Sequence, residues 1–62
     1  MIELIGVPVG AKLKLHGGIV GEILECIDGE WKKIRLLESN RPNAKVGDEE
    51  LCHATDVIAV IA

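Results

Sequence analysis

Tyrosine and phenylalanine are absent from this chain of 62 residues, and Trp31 is its one aromatic residue. A core of stacked rings is therefore excluded, and burial must come from leucine, isoleucine, valine and alanine. Hydrophobic residues make up 48% of the chain, and β-branched content of this kind favours strands. Two cysteines, Cys26 and Cys52, could form one bridge, but in a reducing compartment, with no export signal, they read as free, buried thiols. Basic charge is also short: seven Lys and Arg stand against ten Asp and Glu, for a net charge of −3. That balance gives no general attraction to phosphate backbones or anionic lipid. The opening run Met1 to Val9 is apolar, but it carries Glu3, has no basic flank and is too short for a membrane span or a secretion signal. The expected compartment is the cytoplasm, with no membrane partner. No repeat, low-complexity tract or linker divides the chain, so residues 1–62 read as a single domain.

What is present points to short strands separated by glycine. Ile2 to Ile5 reads as an edge strand ended by Gly6 and Pro8. Ala11, Leu13 and Leu15 alternate with Lys12, Lys14 and His16, the period of a strand with one wet face. Gly17-Gly18 turns the chain into a long strand from Gly18 to Ile27, bent near Gly21. Asp28-Gly29 is the strongest local signal, because an Asp-Gly pair suits the positive φ angles of a two-residue hairpin turn. Counting outward from such a turn sets Ile27 against Glu30, Cys26 against Trp31, Glu25 against Lys32, Ile23 against Ile34 and Glu22 against Arg35. The returning strand, Trp31 to Leu37, then places Ile34 and Leu36 on one face and Trp31, Lys33 and Arg35 on the other. Ser39 to Lys45, with Asn40, Pro42 and Asn43, is a loop. Leu51 to His53 reads as a short strand, Ala54-Thr55-Asp56 as one helical turn, and Val57 to Ile61 as a last strand. Val57 to Ala62 carries no charge, which predicts a central or covered position. Five short strands with glycine-marked bends predict an all-β, five-stranded, strongly bent barrel.

The order strand, glycine bend, long bent hairpin, short strand, helical turn, last strand resembles the Src-homology-3-like small barrels. Val9-Gly10-Ala11-Lys12 through Gly18-Ile19-Val20-Gly21 is similar to their KOW-type branch in ribosomal and transcription proteins. The resemblance spans about two thirds of the chain, and it implies a small closed barrel that binds RNA or protein.

Residues that carry chemistry are few. Cys26, Cys52, His53 and His16 are the only soft metal ligands, but they lack the paired spacing of a zinc knuckle, and Cys52 and His53 point to opposite faces of any strand. No nucleophile, base and orienting group fall together, so neither a catalytic site nor a cofactor is expected. Glu49-Glu50 with Asp48 reads as a solvated acidic loop. Trp31, Lys12, Lys14, Lys32, Lys33 and Arg35 are the candidate contacts. The reading this supports is a non-enzymatic module that self-associates and contacts another protein; Trp31 is either its one large core plug or an interface anchor, and a place partly buried at a subunit or partner contact is favoured. The alternative is a single-stranded nucleic-acid site, built from a stripe of those five cations with Trp31 stacking beside it.

Overall fold

The computed structural model describes residues 4–61. They form one antiparallel sheet of five strands: β1 Lys12–Leu15, β2 Ile19–Cys26, β3 Trp31–Glu38, β4 Glu49–His53 and β5 Val57–Val60. A 3-10 turn, Ala54–Asp56, joins β4 to β5, where the sequence predicts a single helical turn. The spatial order is β4-β3-β2-β1-β5. The fold is all-β, as composition and periodicity predict. The closed barrel is not seen, because hydrogen-bonded pairing stops at β4 on one side and β5 on the other.

Alternation makes the core. Ala11, Leu13 and Leu15 are buried while Lys12, Lys14 and His16 are exposed, and Ile34 and Leu36 lie inside while Trp31 and Arg35 lie outside. Leu4, Leu13, Ile23, Ile34, Leu36 and Cys52 are the largest fully buried side chains. The expected strand Ile2 to Ile5 falls partly on residues 1–3, outside the described residues. Within the described part, Leu4 is buried in the core but belongs to a turn, its carbonyl accepting from the Val7 N–H at 3.1 Å.

The β2–β3 hairpin departs from the expected geometry. Neither Asp28 nor Gly29 has positive φ, so the two-residue turn is not formed. Instead the carboxylate of Asp28 accepts from the N–H groups of Glu30 and Trp31, at 2.8 and 2.9 Å, and the Ile27 N–H donates to the Trp31 carbonyl at 3.1 Å. This side-chain turn needs no left-handed residue. The loop is therefore one residue longer, and Cys26 faces Lys32 and Glu25 faces Lys33. A bulge at Leu24 then absorbs the extra residue, so that Ile23 against Ile34 and Glu22 against Arg35 hold as predicted. Positive φ falls instead on other glycines, among them Gly17 and Gly18, which turn β1 into β2.

The last strand is paired against β1 as expected, but of the central or covered positions predicted for it the central one is not taken. Free of charge, β5 nevertheless lies at the edge, paired among the described residues with β1 alone. Only Val57 is fully buried in it, while Ile58, Val60 and the following Ile61 are 45%, 43% and 50% exposed.

Candidate interaction surfaces

The exposed face of the sheet carries a row of alternating charge. Register sets Lys12 beside Glu22, Glu22 beside Arg35 and Arg35 beside Glu49, across β1, β2, β3 and β4. Glu49 also binds Lys33, at 3.2 Å, as well as Arg35, at 3.3 Å. Its carboxyl sits below the usual carboxylate range, chiefly through the hydrogen bond from Lys33 and then that from Arg35. Opposite charges set across neighbouring strands satisfy one another, so this face is mixed rather than basic.

Of the five cations in the expected stripe, Lys12, Lys14, Lys33 and Arg35 lie on strands with their side chains on this outer face. Lys32 does not join them. It alternates to the core side of β3 and is 3% exposed, its aliphatic stem taking a place among buried residues. Its neighbours across the sheet are Cys26 on β2 and Cys52 on β4. That row settles the cysteines geometrically. Two strands apart, they stand roughly 10 Å from one another, beyond the reach of a disulfide, and both are free. Cys52 is buried as expected, and burial pushes its thiol up to about 11, with Asp56 and Glu50 adding to the shift. Cys26, expected buried, is exposed, because it ends β2 where the hairpin projects past the core.

Trp31 begins β3 beside His53, which ends β4. Their rings meet edge to face at 4.7 Å between centroids, and Trp31 remains 41% exposed. His53 is held on both sides of its ring. The Thr55 backbone N–H donates to Nδ1 at 3.1 Å, which leaves Nδ1 without a proton, and Nε2 then donates to Glu30 at 3.2 Å. The Thr55 hydroxyl lies 2.9 Å from the same Nδ1. Glu30, His53 and Thr55 are thus an acid, an imidazole and a hydroxyl in sequence, and it is the imidazole, through Nδ1 and the Thr55 backbone N–H, that caps the 3-10 turn. Sequence alone does not disclose this cluster, since Glu30 and His53 are 23 residues apart and meet only through the β3–β4 register.

On the core side, between β4 and the end of β1, lies a cleft of about 170 Å³ with a floor that includes Ile19, Ile34 and Leu36. Arg41 crosses its rim to donate to the His16 carbonyl at 3.0 Å. An apolar groove runs from Gly6 to Ala11 and ends on Val60 of β5. Among the described residues no group of three or more His, Cys, Asp or Glu is arranged to hold a metal ion, and no helix is long and apolar enough to cross a membrane.

Comparison with known proteins returns no match: no family model, no curated protein and no solved structure is significantly similar to the chain.

Proposed function

We propose that this chain is a non-enzymatic interaction module of the cytoplasm, an open Src-homology-3-like barrel that associates with itself and with another protein. Strand order β4-β3-β2-β1-β5 and the 3-10 turn before the last strand support the barrel reading. The observation that carries the functional reading is the setting of Trp31. A single aromatic, 41% exposed, is braced by a histidine that is itself fixed by Glu30 and Thr55. An aromatic ordered before it meets a partner loses little rotamer freedom on binding, and such residues dominate contact energies. The cations do not compete well for this role, since Lys33 and Arg35 share Glu49 and Lys32 is buried.

Light scattering on the purified chain, together with tryptophan fluorescence, tests the reading. A mass above that of the monomer, and an unchanged emission on adding short single-stranded RNA or DNA at low salt, is the expected result. Salt-sensitive quenching of Trp31 by those oligonucleotides would replace the protein-contact reading with the nucleic-acid one.

A further inference from the structure

The two edges of the sheet differ in what they can pair with. β4 exposes Glu49 and Glu50, charged side chains of the kind that guard a sheet edge against pairing with another copy. A β4 edge set on the β5 edge of another copy would repeat head to tail and leave open ends. β5 has neither difficulty, because no charge lies between Val57 and Ala62. It also lacks the lysine or proline that guards an exposed edge.

Backbone geometry says where pairing would occur. The Ile61 N–H donates to the Lys12 carbonyl, and Val60 stands opposite Leu13, so Ala59 and Ile61 turn their backbone groups toward β1 and Val60 turns its own away. Among the described residues nothing accepts from the Val60 N–H. The bulge between Ala59 and Val57 confines regular pairing to the Val60 end of the strand.

We infer that two copies join by antiparallel pairing of β5 with β5, about a two-fold axis at Val60, so that each Val60 exchanges both of its backbone hydrogen bonds with its counterpart. This rests on the self-association proposed above and names the surface that would carry it. Side chains fit on both faces. On the core side the two Val60 side chains meet and join the two apolar grooves of Gly6 to Ala11 into one. On the other side Ile61 of each copy, half exposed, falls opposite the small, partly buried Ala59 of its partner, a large residue over a small one twice. Two short strands and a groove cover less than the roughly 800 Å² per partner of a standard interface, so the dimer is a weak one.

Backbone amide exchange read residue by residue, with light scattering on the same samples from about 10 μM to about 1 mM, tests this. The expected result is a dimer at the upper end and a Val60 N–H whose exchange slows with the dimer fraction, at least tenfold, while Ala59 and Ile61 are protected throughout. Val60→Lys, on a half-exposed side chain, should abolish the dimer and leave the β2–β3 amides protected. If that variant does not fold, the concentration series on the native chain still decides. A dimer in which Val60 exchange ignores concentration would overturn this interface and leave self-association standing. A monomer at about 1 mM would overturn both. Slow Val60 exchange in the monomer would show that the chain covers this edge itself, and would overturn the inference as well.

Discussion

At the residue scale, the turn depends on one carboxylate and not on the glycine beside it. Asp28 accepts two backbone N–H groups, while Gly29 occupies ordinary φ and its missing Cβ would meet only the exposed Ile5 side chain, Cγ1 at 2.9 Å and Cδ1 at 3.3 Å, which is free to shift toward solvent. Asp28→Ala is therefore expected to lower the melting temperature by more than Gly29→Ala does, reversing the order that a positive-φ glycine would give. Hydrogen bonds from Glu30 and then Trp31 hold the Asp28 carboxyl below its ordinary 3.8. Its contribution is thus present above the unfolded pKa and is lost as pH falls through the lower, folded one. Asp28→Asn keeps an acceptor that does not titrate, so its melting temperature should fall less steeply than the native one between about pH 4 and pH 2. The thiols separate in the same way. Cys26, exposed, should react at once with a thiol reagent in the native protein. Cys52, buried and pushed up to about 11, should react only on the timescale of unfolding. Two fast thiols would show that β4 does not cover its inner face.

At the scale of elements, much of the fold is legible because alternation and punctuation are local. Ala11 to Leu15, the Ala54–Asp56 turn and the split of β3 between Ile34 and Arg35 all follow from neighbours in sequence. The hairpin register was only half legible, for a specific reason. A loop longer by one residue and a bulge at Leu24 cancel, so the outer pairs match a two-residue turn while the inner pairs do not. Charge at Lys32 misleads similarly: alternation with Ile34 and Leu36 puts it on the core face, but its charge argues for water, and only the structure shows its stem filling a core position between two cysteines. Native Cys26 offers a direct measurement of register. In a Cys52→Ala background, Lys32→Cys should form an intramolecular disulfide with Cys26 on mild oxidation, because the two positions are directly opposed. Trp31→Cys in the same background should not, although the two-residue turn would put it opposite Cys26. A bridge from position 31 and none from position 32 would restore that turn. The Trp31 cluster was legible only as one unusual residue, since His53, which meets both Trp31 and Glu30, reaches them through the sheet.

At the scale of the whole molecule, the question is what an uncharged edge strand contributes. Absence of charge predicts a position that is central or covered, paired on at least one side. The structure gives a strand paired on one side, with a single fully buried side chain. Removing Val57 to Ala62 would forfeit Val57, worth about 1.5 to 3 kcal/mol if fully buried. It would also unpair Leu13, Lys14 and Leu15, and strip cover from Leu13 and Leu15, both now buried. At roughly 0.05 to 0.15 kcal/mol per residue, a domain of this size has only about 3 to 9 kcal/mol in all. β1 would become a four-residue edge holding two core leucines over water. The chain ending at Asp56 is therefore expected to lose its cooperative thermal transition and to aggregate, which calorimetry and light scattering would register. If it stayed soluble, with amides from Ile19 to Glu38 still protected, then β2, β3 and β4 hold the core without β5. In that case the last strand serves the edge contact alone, and its lack of charge reflects its partner rather than its place in the fold.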